Sequence, residues 1–531
     1  MASHPSAHRG LSQHPGGTFC CHESHGIDTP DPYVAYPAFE QMTKLSSAIK
    51  SLTSSLLMGL LVAAISGCSY FFAPQNKPMD HGADGNGYGF NKARGGKLGD
   101  NLILLTFSGG GTRAAALAFG VLKELRDTTI LSGGRRVRLL DDVDSISSVS
   151  GGSFTAAYYG LFGDRIFTDF EDVFLKKSIQ GILIQKMFDP SYWWKSLTSG
   201  FDRTEMAIDY YDGNIFEGKS FRDIDLTQRP FIEINATNLG AGTRFSFIQL
   251  YFDLICTDLM DLKVARAVTA SSAVPIMFAP VVLQNYAGQC HIEQNPFFNN
   301  LMSVQDPDPR VRELQRRMRR YMDHENHPYI HLIDGGVADN LGARAMTERL
   351  EAFQNGLSLL LGDHKPKNIV MITVDAEVEP VHSVDESPDK PSLGDTLEAF
   401  SNIQFQLFNN ETRILLDHKL EELRDHLASA GHTVTLYKVP IEFSSVHGKS
   451  LKEHLNSLPT SLELSSTDVD LLERTGAELV RHNKDFRAFL KAVEGYRNGD
   501  VIPPTPLPSS KTEIPAKHQG EIQPGATLPR P

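Results

Sequence analysis

The sequence predicts an α/β fold in which a mostly parallel sheet is covered by helices, and three observations carry that expectation. Continuous apolar runs of strand length recur along the chain, the clearest being Asn101–Phe107 and Asn368–Val374. Strands buried on both faces read as such runs rather than as alternations. Two strands end in turns of small residues, Ser108-Gly109-Gly110-Gly111 and Ser147-Ser148-Val149-Ser150-Gly151-Gly152-Ser153. Helical periodicity follows each turn, so the chain opens strand, helix, strand, helix, the order that builds a parallel sheet.

A chain of 531 residues can hold two to four average domains or one large α/β domain with insertions. Its 41% hydrophobic and 22% charged residues suit a globular body rather than a polytopic membrane protein. A formal net charge of -13 argues against nucleic acid as a partner. The five cysteines, Cys20, Cys21, Cys68, Cys256 and Cys290, are too few for a disulfide scaffold and lack the repeated spacing of a zinc site. Cys256 and Cys290 either pair, if the chain is exported, or stand as two buried thiols.

Residues 1–41 are rich in His, Pro, Gly and Ser without a periodic apolar face, which predicts disorder. A different pattern fills 42–67. Lys44 and Lys50 precede the apolar run Leu56–Ile65, too short to span a bilayer but suited to a signal sequence. Ile65-Ser66-Gly67-Cys68 then resembles a bacterial lipobox, which implies a lipidated Cys68 and a bacterial cell envelope location. Ser69 in the second mature position points to the outer membrane, and Met42 is the expected translation start. Residues 68–99, rich in Gly, Asn, Asp and Lys, read as a tether.

The body begins at residue 100. After the strand 101–107, Leu117, Val121, Leu122 and Leu125 recur on one helical face. Val143–Ile146 reads as a short strand and Phe154–Phe162 as the continuation of a helix. Between Phe167 and Phe221 the chain is aromatic and irregular, an insertion packed over the core or a lipid-facing rim. Strands are expected at 230–237, 244–248, 329–333, 368–374 and 433–443. A helix of small residues over 268–280 is stopped by prolines, and long helices are expected at 395–428 and 467–497. The six arginines within 306–322 lie on a helix that is either a solvated surface or a contact for anionic headgroups. Hence the body spans 100–445, a helical extension 446–499, and a disordered Pro-rich tail 500–531.

Ser150 sits between a strand and a helix on small residues, the geometry of a nucleophile elbow, although Ser148 stands where G-x-S-x-G has its first glycine. Gly109, Gly110 and Gly111 present bare backbone at a helix start, an anion site; the nucleotide-binding patterns G-x-x-x-x-G-K-[ST] and G-x-G-x-x-G are absent, so an oxyanion hole fits better. Asp334-Gly335-Gly336 is a third turn at a strand end and offers a carboxylate. In order, G-G-G-T-R, S-V-S-G-G-S, A-S-S-A-V-P-I-M-F-A-P and D-G-G-V-A-D-N resemble the patatin-like phospholipase family. That resemblance implies a three-layer α/β/α fold and a Ser-Asp dyad hydrolysing lipid acyl esters with neither metal nor cofactor. By position it makes Ser150 the nucleophile, Asp334 its base, and Gly109, Gly110, Gly111 and Arg113 the oxyanion loop, with membrane lipids as substrate. A Ser-His-Asp hydrolase drawing on His331, His432 or His447 is one alternative. A non-catalytic lipid- or protein-binding envelope lipoprotein is the other.

Overall fold

The computed structural model describes residues 74–499 apart from 81, 84–86, 93–98, 229, 276, 354–365, 380–387, 389 and 391. The extension 1–41, the expected signal sequence 42–67, Cys68 and the tail beyond 500 lie outside the described residues. In chain order the strands are β1 (Asn101–Phe107), β2 (Thr128–Ser132), β3 (Arg135–Arg138), β4 (Ser145–Val149), β5 (Phe231–Asn238) and β6 (Thr243–Ser246). They continue with β7 (Val281–Gln284), β8 (Tyr329–Ile333), β9 (Asn368–Asp375), β10 (Thr435–Glu442) and β11 (Tyr496–Arg497).

β10, β9, β1, β4 and β5 lie side by side and parallel, and β6, β7 and β8 complete a mostly parallel eight-stranded sheet. Side-chain alternation along β1 explains the layers. Leu102 and Leu104 enter one core with Met371 and Leu420; Ile103, Leu105 and Phe107 enter the other with Leu117 and Val121. Helices α1 (Gly111–Asp127) and α2 (Gly151–Phe162) supply the second core. Across the sheet the first core is filled by the helix at Arg344–Phe353 and the long helix at Leu393–Ser429. The three-layer α/β/α expectation therefore holds.

Several expectations change. The helix over 467–497 breaks at Asn483, whose side chain accepts the Asp485 and Phe486 amides and so starts a new helix at Lys484. β11 then pairs with β2. The small-residue helix is Val264–Ser271, ending before the prolines are reached. The presumed tether contributes to the core: Tyr88 is buried and its hydroxyl donates to the Ile232 carbonyl at 2.9 Å, while Asn76 donates to Thr257 at 3.0 Å. Cys256 and Cys290 form a disulfide. On the arginine-rich helix Pro309–Met322, Arg310 pairs with Glu351, Arg312 with Asp306, Arg316 with Glu313 and Arg317 with Glu348, so most of its arginines are paired within the molecule.

The aromatic insertion divides in two. Phe170, Phe174, Tyr210, Tyr211 and Phe216 are buried, with Phe154 stacked on Phe174 at a 4.3 Å centroid distance. Between them α3 (Ile179–Met187) and α4 (Pro190–Ser199) carry exposed apolar side chains, and α5 (Arg203–Asn214) returns to the body. No helix among the described residues is long and apolar enough to cross a membrane.

Candidate active site

The register of β5 explains how residues 184 positions apart meet. Asn235 pairs with Val149 of β4 and with Ser246 of β6, so these two strands occupy opposite edges of β5. β8 pairs with Thr237 and Asn238, whose other edge β6 already holds, so β8 shares the edge of β4. β4 runs parallel to β5 and stops opposite Asn235; β8 runs antiparallel and stops opposite Thr237. The two strand ends thus point at each other with one residue of β5 between their levels. Ser150 follows one end and Asp334 the other, and the Ser150 hydroxyl donates to Asp334 Oδ2 at 2.8 Å.

Ser150 adopts φ 49, a left-handed backbone that a residue with a Cβ enters only when its surroundings enforce it. Ser271 does so. Its hydroxyl oxygen accepts the Ser150 amide at 2.8 Å and its proton goes to the Asn235 carbonyl at 2.6 Å. Gly152 N–H donates to the Ser108 carbonyl at 3.2 Å, tying the serine turn to the glycine loop. Ser148 is fully buried, donates to the Glu233 carbonyl at 3.1 Å and accepts from Ser153 at 3.2 Å, so the hydroxyl that replaces glycine is satisfied in place.

Asp334 is held on both sides. Its amide donates to the Ala273 carbonyl and Gly335 N–H to the Ser271 carbonyl, each at 2.9 Å, while Oδ1 accepts the Gly336 amide at 2.7 Å. Burial raises its carboxyl from 3.8 to about 6, against the hydrogen bonds from Gly336 and Ser150. A carboxylate so placed is a stronger base than one in water. It already receives the hydroxyl proton it would have to remove.

The glycine loop lies against the serine turn. An ideal Cβ on Gly109 would stand 3.4 Å from the Ser150 Cβ, and one on Gly151 only 2.0 Å from the Gly111 carbonyl oxygen, so side chains are excluded where the two backbones touch. Gly110 and Gly111 have φ values of 132 and 61, open to glycine alone without strain. Among the described residues neither of their amides has an acceptor, and both open α1, where N–H groups are unpaired by construction.

The other two members of the expected loop are placed differently. Gly109 N–H donates to the Asn340 carbonyl at 2.9 Å and is already engaged. Arg113 turns its guanidinium to the Ala376 carbonyl at 2.9 Å, the Leu458 carbonyl and the Thr460 hydroxyl at 3.1 Å. Burial lowers its pKa to about 10, and its work is to fasten α1 to the end of β9 and to the 458–460 segment.

No histidine among the described residues hydrogen-bonds to Ser150 or Asp334. His432 precedes β10 at the opposite end of the parallel strands, and His331 is exposed on β8. Among the described residues one grouping of carboxylates is close enough to share a cation: Glu171, Asp470 and Glu473. Two ammonium groups already fill it, Lys123 at 2.6 Å from Glu473 and Lys176 at 2.6 Å from Asp470. Ser271 and Asn235 are the site residues that sequence reasoning did not assign. Ser271 lies in the run Ala270-Ser271-Ser272-Ala273-Val274-Pro275, yet nothing local marks it as the support of a serine 121 positions earlier.

Residues 105–347 match the family model described as Patatin-like phospholipase. No curated protein matches the chain. Among solved structures, human GIVD cytosolic phospholipase A2 is similar with a TM-score of 0.37 and 10% identity, over 74% of this chain and 62% of that one. The same human protein in complex with methyl gamma-linolenyl fluorophosphonate gives 0.35 and 11%, over 74% and 59%. The chain therefore covers less than two thirds of the length of these structures.

Proposed function

Because residues 105–347 form a patatin-like phospholipase domain, we propose that the protein is a serine lipid acyl hydrolase working through Ser150 and Asp334. The observation that carries this is the 2.8 Å hydrogen bond from the Ser150 hydroxyl to a buried carboxylate, made beside two unpaired backbone amides. Asp334 takes the hydroxyl proton as Ser150 Oγ attacks the ester carbonyl. The tetrahedral oxyanion is stabilised by the Gly110 and Gly111 amides and the start of α1. Collapse expels the alcohol, which leaves with the proton held by Asp334. Water, activated by the same carboxylate, then hydrolyses the acyl-Ser150 ester and releases a fatty acid. Exposed Val274, Met277 and Val337 lie close in sequence to Ala273 and Asp334 and give the acyl chain an apolar rim.

In the same reading Cys68 carries acyl chains that hold the protein to a bacterial envelope, and membrane lipids are the substrate. A fluorophosphonate probe should label Ser150, and lipid mass analysis after incubation with native membranes should show fatty acid release by wild type and none by Ser150→Ala. Hydrolysis that survives in Ser150→Ala would defeat the dyad. An intact fold that neither labels nor hydrolyses would identify a binding protein instead.

A further inference from the structure

The α3–α4 hairpin is apolar on both sides, unlike an ordinary surface helix pair. Ile179 and Leu183 of α3 are buried as expected, yet the outward face repeats the apolar pattern with Ile184, Met187 and Phe188. On α4, Trp193 and Leu197 stand one turn apart, and Phe188, Trp193 and Leu197 are 77%, 59% and 73% exposed. Contiguous apolar side chains at this exposure mark a contact surface.

Both ends of the hairpin are fastened to segments that border the dyad. At its start, Gln180 N–H donates to the Leu462 carbonyl, next to Ser461, whose carbonyl accepts the Thr112 amide at 2.8 Å beside the glycine loop. After it, the Thr204 hydroxyl donates to the Ala279 carbonyl at 2.9 Å, in the segment that leaves Ala273, the acceptor of the Asp334 amide. The hairpin is thus flanked on both sides by hydrogen bonds to segments that continue to the site.

Its charge departs from that of the molecule. Residues 177–199 carry Lys177, Lys186 and Lys195 against Asp189 alone, in a chain whose formal net charge is -13. Lys186 lies over the Tyr192 ring at 5.1 Å and Lys195 over Phe201 at 5.1 Å, so ammonium groups share the two helices with the apolar face. Apolar side chains edged by lysine and tryptophan are the composition of an interfacial membrane element.

We propose that the α3–α4 hairpin is the surface by which this protein docks on an anionic lipid bilayer, bringing the Ser150–Asp334 pair to its substrate. The proposal rests on the acyl-hydrolase reading for its purpose, though not for its test. Trp193 and Trp194 are the two tryptophans of the chain, so the emission of the unmodified protein reports on this hairpin alone. The full chain carrying Cys68→Ala, which removes any acyl anchor, is mixed with vesicles of phosphatidylglycerol and phosphatidylcholine. Tryptophan emission should shift to the blue and be quenched by lipids brominated in the acyl chain, more weakly with phosphatidylcholine alone. Phe188→Ser with Leu197→Ser should reduce vesicle affinity roughly 100-fold and leave hydrolysis of a soluble short-chain ester unchanged. Emission that does not respond while the protein sediments with vesicles overturns the proposal, as does a blue shift that depends on protein concentration without lipid, which would make the face a contact between copies. Absence of soluble-ester hydrolysis in wild type, with a normal tryptophan response, overturns the hydrolase reading and supports docking.

Discussion

Asp334 binds its proton more tightly in the folded chain than an ordinary aspartate does, because burial raises its carboxyl from 3.8 to about 6. For a carboxyl shifted upward, folding loses stability as pH rises from the unfolded value to the folded one, and the loss is complete above about 6, on the order of 3 kcal/mol. The same shift places a competent base only above that pH. With a soluble ester, kcat/KM should therefore rise with an inflection near pH 6; a profile flat from about pH 5 to pH 8 would remove Asp334 from the role of base. Asp334→Asn should abolish hydrolysis yet raise the melting temperature at neutral pH, with the gain vanishing near pH 4. Asp339 is also raised to about 6 by burial and shares the window, which is why the single variant and not the bare pH curve is the discriminating measurement. At this scale the sequence was readable where a residue's place is set by its own turn: Ser150 follows β4 and Asp334 follows β8, as their flanking runs indicate. It was unreadable where a role depends on a distant partner. Nothing in the Thr112-Arg113 dipeptide says that the guanidinium turns toward Ala376 and Leu458.

Packing between elements depends on places where no side chain fits. α1 and the helix Ser466–His482 approach so closely that an ideal Cβ on Gly120 would lie 2.0 Å from the Glu473 carbonyl oxygen, and one on Gly476 2.4 Å from that of Leu117. The obstacles are backbone atoms, which cannot rotate away. Gly476→Val should cost about 3 kcal/mol in denaturant unfolding, and because α1 opens with the glycine loop, activity should fall below what the folded fraction accounts for. Wild-type stability in that variant would mean the two helices are free to part. Strands were legible as apolar runs, and so was the order of the turns. The hairpin of β2 and β3 was missed although Gly133-Gly134 between two short runs announces it, both glycines having positive φ. The meeting of β4 and β8 was beyond reach, since it is set by how far each strand extends along β5 and no residue encodes that distance locally.

For the molecule as a whole, the three layers follow from β1 alone, whose successive side chains belong to two cores. What the sequence concealed was the extent of the body, because a stretch poor in apolar residues can still place a few of them well. Tyr88 and Met79 are buried, and the Met79 amide donates to the Cys256 carbonyl at 2.8 Å, next to the disulfide. Cys256 and Cys290 are 34 positions apart. Closing such a loop stabilises by about 3–4 kcal/mol in the chain-entropy account, so reduction should lower the melting temperature while leaving ester hydrolysis at low temperature intact. An unchanged melting temperature under reductant would show the bridge to be dispensable. The early docking of the segment at Asn76 has another consequence if Cys68 is acylated. Six residues from Cys68 to Pro74 reach at most about 20 Å, roughly one radius of gyration of a body this size. Such a mooring is too short for the protein to roam. It would graze only the leaflet it is fixed to, within a disc hardly wider than itself, and its turnover would be supplied by lipids diffusing sideways through that disc rather than by encounters in bulk.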